Sequence, residues 1–343
     1  SRSSSVLPEY KEYERGIATW LNAALGPVIS GYLKALQEEL GSTPLQVMQS
    51  SGETMAASKA AESAVNLLLS GPAGGLTAIA FLAQQQGKTK FISFDMGGTS
   101  TDVALLDGKI RTSNESSIAS YPIAVPMVDM ETIGAGGGSI AFVDTGGMLQ
   151  VGPRSAGADP GPACYDRGGE EATVSDANLV LGRLQFDAAL AGDLKLSLQK
   201  ARASIEPLAK RIGLSIEETA LGIIDIANEH MAKAIRLISV NKGHDPKEFI
   251  LASFGGAGSL HVCALADAMG MRDAIVPVHG GVLSALGMVV AEQGRQFSKT
   301  LSLDAEQSDE RELEQQYASL ERRGIAQLAS EGLPASMLVS NRS

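Results

Sequence analysis

The sequence predicts an α/β protein, and three observations carry this prediction. Apolar residues recur at helical spacing in residues 1–45 and again in residues 196–250. A β-hairpin pattern occupies residues 90–110, and a strand pattern over residues 249–254 leads into a glycine turn and a second helix. The chain has 343 residues and is 44% hydrophobic, which is enough for about two domains with cores of their own.

The two helical regions carry different local signals. Between residues 1 and 45, Gly26 and Pro27 interrupt the apolar stripe and predict a break in the helix. In the second region, Ser215 and Glu218 have the spacing of a capping box, which predicts that a long helix begins there. The buried stripe predicted for that helix comprises Ile216, Ala220, Ile223, Ala227, Met231, Ala234 and Ile238.

Shorter elements lie between these helical regions. Leu45–Met48 has the composition of a strand, and Ala73–Gln85 that of a helix. Within the hairpin pattern, Asp107 and Gly108 form a two-residue turn signal. Strands and helices therefore share one region of the chain, as the α/β prediction requires.

Charge and cysteine content exclude several classes of function. Lys and Arg number 28 and Asp and Glu number 39, so the formal net charge is −11, and we expect no nucleic-acid or membrane partner. Cys164 and Cys263 are too few for a disulfide framework or a four-ligand zinc site. No uninterrupted apolar run reaches the length of a membrane span, about 18 residues. We therefore expect a cytoplasmic protein.

The segment FDMGGTSTDV combines a strand, a glycine turn and a second strand. Gly97, Gly98 and Thr99 form the turn, where glycines let the backbone approach a ligand and present successive N–H groups to one point. Such a nest suits phosphate oxygens. A plain hairpin with an Asp-capped turn is the alternative. A strand follows the turn instead of the helix that a P-loop or Rossmann motif requires.

Two carboxylates flank this turn at a spacing of seven residues. Asp95 ends the first strand and Asp102 begins the second. Carboxylates beside a phosphate nest are appropriate ligands for Mg²⁺, directly or through water. We therefore predict Asp95 and Asp102 as catalytic and metal-binding residues.

Another glycine cluster offers a second candidate anion site. Gly134, Gly136, Gly137 and Gly138, followed by Ser139, could line an oxyanion with backbone N–H groups. The same glycines could equally form a bend between two strands, and the sequence leaves both interpretations open.

These segments resemble those of the actin/Hsp70/sugar-kinase ATPases, and FDMGGTSTDV is similar to their second phosphate motif. Ser70–Leu82 resembles the first connecting helix, and Gly280–Ala291 resembles the second, whose small residues allow close helix packing at a hinge. Ala252–His261 resembles the adenosine motif, in which Gly255 and Gly256 would lie against the nucleotide. The resemblance implies a ribonuclease-H-like lobe, with a mixed five-stranded sheet flanked by helices, that binds ATP and Mg²⁺.

The resemblance narrows to the hydantoinase A/oxoprolinase (HyuA-like) family. Gly134–Gly147, Val151–Gly169 and Thr173–Leu184 resemble signature segments of that family, in its order. The family implies ATP-dependent opening of a small cyclic amide such as a hydantoin, 5-oxoproline or a lactam, with a B-type partner subunit. A branch that couples ATP use to ketone carboxylation is the first alternative, and a non-catalytic nucleotide-binding lobe is the second.

The resemblance also implies two further nucleotide contacts. Related ATPases use polar residues on the helix before the adenosine strand, which here are Glu229 and Lys233. An ion pair between these two side chains, four residues apart, is the alternative. His230 and the stretch Ser50–Gly52 depart from the family pattern, where an Asn and an Asn-Gly-Gly are usual.

The order of the motifs predicts three parts of the chain. The superfamily has an earlier phosphate motif in its first lobe, and only the second is present here. We expect residues 1–70 to be the tail of that missing N-terminal lobe and residues 71–296 to be the second lobe, with a Gly/Pro-rich insertion around 134–185. Residues 297–343 would begin a truncated C-terminal region, and the fragment alone would bind nucleotide poorly.

Overall fold

A computed structural model provides the fold, and it describes residues 1–118, 121–185, 187, 194–301 and 309–342. Its helices are α1 Ser3–Val6, α2 Glu12–Leu40, α3 Ala57–Ala60, α4 Ser70–Gln85, α5 Val174–Val180, α6 Leu198–Ile212, α7 Ile216–Ile238, α8 Val262–Met269, α9 Leu283–Val290 and α10 Glu310–Ser330. Its strands are β1 Gln46–Met48, β2 Thr54–Ala56, β3 Lys90–Met96, β4 Thr101–Asp107, β5 Lys109–Ile110, β6 Thr112–Ser113, β7 Ser116–Ile118, β8 Tyr121–Ile123, β9 Met127–Val128, β10 Met130–Ile133, β11 Ser139–Val143, β12 Leu149–Ser155, β13 Ile250–Phe254 and β14 Ala274–Ile275. None of these helices combines the length and apolar character that crossing a membrane requires.

The chain divides into two compact units. Unit 1 comprises Ser1–Ala78, Arg111–Asp129 and Gly287–Ser343, and unit 2 comprises Ile79–Ile110 and Met130–Leu286. This division by compactness does not test the three predicted lobe assignments, which stay predictions.

Unit 1 is built around the long helix α2, and the predicted break at Gly26 and Pro27 is wrong. Helix α2 continues through Pro27. Proline has no N–H, so the carbonyl of Ala23 loses its helical partner. Both residues are exposed, and that carbonyl can bind water instead. Ala18 before the proline and Leu33 after it lie in two separate apolar clusters of unit 1. Burial on both sides offsets the cost of an interior proline, about 3 kcal/mol.

Two further predictions hold in unit 1. The strand expected at Leu45–Met48 is β1, which pairs with β2 in an antiparallel hairpin. The small residues of the connecting helices also pack closely, because a Cβ on Gly287 of α9 would lie 2.6 Å from the carbonyl carbon of Gly74 in α4. Only glycine fits at that crossing.

The predicted mixed sheet is confirmed in unit 2. Five strands follow the order β10-β4-β3-β13-β14, and β5 pairs with β4 at the hairpin end after the Gly108 turn. Strand β4 is antiparallel to β3 and β10, whereas β13 is parallel to β3 and β14. This arrangement is that of a ribonuclease-H-type lobe, and it places the ends of β3 and β13 side by side.

Helix α7 supplies much of the apolar core beside this sheet. Its predicted capping box is confirmed, since Ser215 N–H donates to Glu218 Oε2 at 2.9 Å and Glu218 N–H donates to Ser215 Oγ at 3.2 Å. The predicted stripe is buried except for Ile216, which is partly buried. The candidate site lies at the ends of the helices and strands that surround α7.

Candidate functional site

The β3–β4 hairpin places Asp95 directly opposite Asp102. The two residues are register partners in the antiparallel pair, so both side chains point to the same face. Both carboxylates are half-buried. Burial disfavours the charged form and, together with the negative charge of Asp102, raises the pKa of Asp95 to about 6. The hairpin therefore holds an acidic pair whose charge is unbalanced.

Thr132 on the neighbouring strand β10 distinguishes the two carboxylates. Burial raises the pKa of Asp102, and Thr132 Oγ1 opposes this rise by donating a hydrogen bond of 2.5 Å to Asp102 Oδ1. Thr132 is the cross-strand partner of Asp102 in the β10–β4 register. Asp102 is thus held in one orientation, while Asp95 carries the larger shift.

The turn between the two strands presents backbone donors. Gly97 N–H closes the turn by donating to Ser100 O at 3.0 Å. In the part of the chain that the structure describes, the N–H groups of Gly98, Thr99 and Ser100 have no acceptor, and Gly98 and Thr99 are exposed. Three successive free donors have the character of an anion-binding nest.

The second glycine cluster packs behind this turn. Gly137 N–H donates to Gly97 O at 3.0 Å, and Gly138 N–H donates to Gly98 O at 2.6 Å. Gly136 N–H donates to Ser139 Oγ at 2.9 Å. Because these three donors are already used, the interpretation as an oxyanion-binding segment is wrong for Gly136, Gly137 and Gly138, and for Gly134 it stays a prediction. The segment supports the turn by holding its carbonyl groups.

Gly255 brings a third loop against the end of β3. Its φ is +79°, and its N–H donates to Gly280 O at 3.1 Å. A Cβ at this position would lie 2.5 Å from Met96 O and would also collide with Asp95 Oδ1. Gly256 is exposed, with no atom within 4 Å of a Cβ built there. The predicted phosphate turn and adenosine turn therefore meet beside Asp95.

Glu229 and Lys233 are placed differently from the other predicted site residues. Both are exposed on α7. Glu229 pairs with Arg236, with 2.8 Å between Oε1 and Nη1, so the alternative of a Glu229–Lys233 ion pair is wrong. No contact among the described residues joins either side chain to the Gly255 loop, and their predicted nucleotide role stays a prediction.

Asp176 organises the Gly/Pro-rich insertion. Its carboxylate accepts hydrogen bonds from Cys164 N–H at 2.7 Å and from Thr173 Oγ1 at 2.6 Å, and it completes a capping box with Thr173. Cys164 is fully buried, and burial beside Asp176 raises the pKa of its thiol well above the usual range. A thiol in this environment is structural and is not an activated nucleophile.

The residues at the end of β3 fit a magnesium–phosphate group. Two carboxylates of raised pKa lie beside a turn whose N–H groups at residues 98, 99 and 100 have no acceptor among the described residues. A cation would stabilise the charged carboxylates, and an anion would accept hydrogen bonds from the N–H groups. Mg²⁺ usually takes only one or two protein carboxylates and keeps water and phosphate oxygens as its other ligands. The donor set of this hairpin matches that pattern.

A family comparison agrees with these features. A model of the hydantoinase/oxoprolinase family matches residues 15–296. The chain belongs to this family. Among curated family relatives, it is 42% identical to caprolactamase subunit alpha of Pseudomonas jessenii, over 95% of this chain and 48% of that protein. It is 39% identical to 5-oxoprolinase 1 of Arabidopsis thaliana, over 85% of this chain and 24% of that protein.

Solved structures show the same relationship. The crystal structure of the ATP-dependent caprolactamase from Pseudomonas jessenii aligns with a TM-score of 0.83 at 40% identity, over 99% of this chain and 50% of that one. A nucleotide-free acetone carboxylase aligns with a TM-score of 0.82 at 29% identity, over 97% and 49%. The chain therefore spans about half the length of these relatives.

Sequence reasoning missed two features in and near the site and gave a different role to a third. Thr132 lies in a weak strand pattern, and only strand pairing places it beside Asp102. Gly136–Gly138 carried a glycine signal, but the sequence does not show which partner uses their N–H groups. Asn178 and His261 form a buried pair whose members carry no local signal for each other.

Proposed function

We propose that this chain forms the nucleotide-binding part of an ATP-dependent enzyme that opens cyclic amides such as hydantoins, 5-oxoproline or lactams. The observation that carries the proposal is the acidic pair Asp95 and Asp102 beside the free N–H groups of the Gly97–Ser100 turn. The names of the relatives, caprolactamase and 5-oxoprolinase, support the substrate class.

Each part of the hairpin has a proposed role. The N–H groups of Gly98 and Thr99, which have no acceptor among the described residues, hold phosphate oxygens, and Gly97 shapes the turn because its own N–H donates to Ser100 O. Asp95 and Asp102 hold Mg²⁺, directly or through water. When bound, ATP supplies a phosphoryl group that activates an amide or carboxyl oxygen and makes the carbonyl a better electrophile.

The surrounding residues set the geometry for these groups. Thr132 fixes the Asp102 carboxylate, so the two acids are not equivalent. Gly255 has no side chain that would displace the Asp95 carboxylate, and the space beside Gly256 is open. We propose that the backbone of these two glycines lies against the adenosine moiety. Glu229 and Lys233 are proposed to contact the ribose.

The proposal includes partners outside this chain. Since the chain spans about half of the caprolactamase alpha subunit, we propose a preceding ATPase lobe and a B-type subunit as partners. The word "subunit" in that relative's name supports a partner chain. We also propose a cytoplasmic location, which the free thiols of Cys164 and Cys263 favour.

A ketone carboxylase is the second candidate. The observation that favours it is the acetone carboxylase structure, whose TM-score of 0.82 is nearly that of the caprolactamase. The same hairpin would then hold the nucleotide while bicarbonate, instead of an amide, accepts the phosphoryl group. A non-catalytic nucleotide-binding lobe is the third candidate.

The test is nucleotide turnover by the full-length protein with its B-type subunit. ADP release is measured with caprolactam, 5-oxoproline, a hydantoin, and acetone plus bicarbonate. We expect a cyclic amide to stimulate release, and Asp95→Ala to reduce that rate at least about 100-fold, because it removes a proposed ligand of the Mg²⁺ that offsets phosphate charge in the transition state.

Asp225→Asn is the matched control, since Asp225 is exposed on α7. It should leave the rate unchanged. Stimulation only by acetone plus bicarbonate would replace the hydrolase proposal with the carboxylase. Turnover that survives Asp95→Ala would refute the assigned site.

A further inference from the structure

Helix α5 and its cap contact three different loops of unit 2. Ser175 N–H donates to Gly137 O at 2.7 Å, and so holds the segment behind the phosphate turn. Asp176 holds the insertion loop through Cys164 N–H. Asn178 contacts His261, which follows the Gly255 loop. The first two contacts belong to the site described above, whereas the third has no assigned purpose.

The contact between Asn178 and His261 is fully buried and has one consistent hydrogen-bond pattern. His261 Nδ1 lies 2.7 Å from Asn228 Oδ1, an acceptor, so Nδ1 carries the ring proton. His261 Nε2 then accepts from Asn178 Nδ2 at 3.3 Å. Asn178 Nδ2 also donates to Val174 O at 3.1 Å, which determines the orientation of that amide. The pattern requires a neutral imidazole and ties α5, α7 and the start of α8 together.

His261 anchors one end of the predicted adenosine loop, and the end of β3 anchors the other. Near the start of the loop, Ala257 N–H donates to Met96 O at 3.0 Å. Gly258 is buried, with the Phe94 ring 3.6 Å from a Cβ built on it. At the far end, His261 N–H donates to Gly258 O at 3.1 Å. The side chain of His261 is therefore the link between the loop and α5.

We propose that Asn178 and His261 are positioning residues that hold the Gly255–Leu260 loop in the conformation that receives the adenosine part of a nucleotide. This inference rests on the proposed function. Neither side chain is proposed to touch the nucleotide, because His261 is fully buried and Asn178 nearly so. Asn178 Oδ1 is buried without a partner, but both ring nitrogens of His261 and the Nδ2 of Asn178 are bonded. These buried hydrogen bonds restrict the elements that they join, and fewer loop conformations then compete with the binding-competent one.

Two ligands separate positioning from general stability. Mg·ATP engages both the phosphate turn and the adenosine loop, whereas Mg·tripolyphosphate engages the phosphate turn alone. Binding of each is measured by calorimetry on the full-length protein, and thermal unfolding is measured without ligand. For Asn178→Ala we expect about a tenfold loss of Mg·ATP affinity with Mg·tripolyphosphate affinity changed less than about twofold.

Asn22→Ala is the matched control. Asn22 is a buried asparagine of unit 1, and its side chain bonds to Glu62 O, Ser1 Oγ and Val65 N–H. It should lower the unfolding temperature, as Asn178→Ala does, and leave both affinities unchanged.

Two substitutions of His261 test whether its hydrogen bond with Asn178 is responsible for positioning the loop. His261→Gln can place its Oε1 where Nε2 accepts from Asn178, so it should retain Mg·ATP affinity within about threefold. His261→Asn is too short to reach Asn178 and should bind like Asn178→Ala.

Each other outcome overturns the inference. Equal losses for both ligands in Asn178→Ala indicate general destabilisation, and an unchanged Mg·ATP affinity removes any positioning role. Wild-type protein that binds tripolyphosphate but not ATP contradicts the adenosine loop, whereas wild-type protein that binds neither ligand refutes the proposed function as well.

Discussion

Two glycine segments of unit 2 lie in direct contact and use their backbones in opposite ways. In the turn over Gly97–Ser100, the carbonyl groups of Gly97 and Gly98 accept hydrogen bonds from the neighbouring glycine segment, and three N–H groups have no acceptor among the described residues. In the segment Gly136–Gly138, all three N–H groups donate hydrogen bonds, two to that turn and one to Ser139. Glycine content alone therefore does not identify an anion site, because only N–H groups without an acceptor in the protein can still bind an anion.

The comparison also explains why both segments contain glycine. Gly136 has no room for a Cβ, because the backbone of the turn passes 2.7 Å from the position that a Cβ would take. At Gly98 a Cβ would meet no atom within 4 Å, so the space around the turn remains open to a ligand. One glycine is required for packing within the protein, and the other for access from outside it.

The largest expected effect comes from Gly136→Ala. The added Cβ would overlap the carbonyl carbon of Gly98 and the amide nitrogen of Thr99, both at 2.7 Å, and backbone atoms cannot move aside as a side chain can. We expect a loss of about 2–4 kcal/mol in the free energy of unfolding, together with loss of Mg·ATP binding. Urea unfolding and calorimetry measure the two effects.

Gly98→Ala is the control for that substitution. It should change the free energy of unfolding by less than about 0.5 kcal/mol, because its Cβ meets open space. Equal stability losses in the two variants would break the distinction between the packing glycine and the access glycine.

An intermediate effect, with the opposite sign, is expected from Asp95→Asn. The pKa of Asp95 is raised to about 6, so the protonated acid favours folding below its unfolded value of about 4, and this contribution is lost as pH rises through about 6. At pH 7.5, without nucleotide or magnesium, the variant should be more stable than wild type by on the order of 1–2 kcal/mol. The gain should vanish near pH 4.

Urea unfolding at the two pH values tests this expectation. Asp225→Asn, the same change at an exposed position, is the control and should lie within about 0.5 kcal/mol of wild type at pH 7.5. If Asp95→Asn were less stable than wild type at pH 7.5, the charged Asp95 would not lower the free energy of unfolding, and the argument for a cation site would weaken.

The smallest expected effect comes from Thr132→Val. It removes the donor to Asp102 Oδ1 while keeping the shape of the side chain, and Thr132 is exposed, so the loss should be about 0.5–1 kcal/mol. We expect the pKa of Asp102 to rise further and Mg·ATP affinity to fall two- to fivefold. Carboxyl NMR titration and calorimetry measure these changes.

Thr132→Ser retains the hydroxyl and should behave as wild type in both measurements. If the serine variant matched the valine variant instead, packing by the methyl group, and not the hydrogen bond, would account for the role of Thr132.

Local signals predicted much of unit 2 correctly. The Ser215–Glu218 capping box, the buried stripe of α7 and the hairpin with its acidic pair all depend on residues close together in the chain. The same approach failed at Gly26 and Pro27, where burial of Ala18 and Leu33 in two apolar clusters outweighs the local cost of proline.

By itself, the sequence determined the α/β class and the position of the Asp95–Asp102 hairpin, because periodicity, caps and turns are short-range properties of a chain. Its motifs, taken in order, also carried the resemblance to the family. Only the tertiary structure decided that Gly136–Gly138 supports the turn, that Thr132 holds Asp102, and that Asn178 meets His261 across 83 residues of chain. Those contacts depend on which elements the shared core brings together, and a buried hydrogen bond between distant segments leaves no periodic trace in either of them.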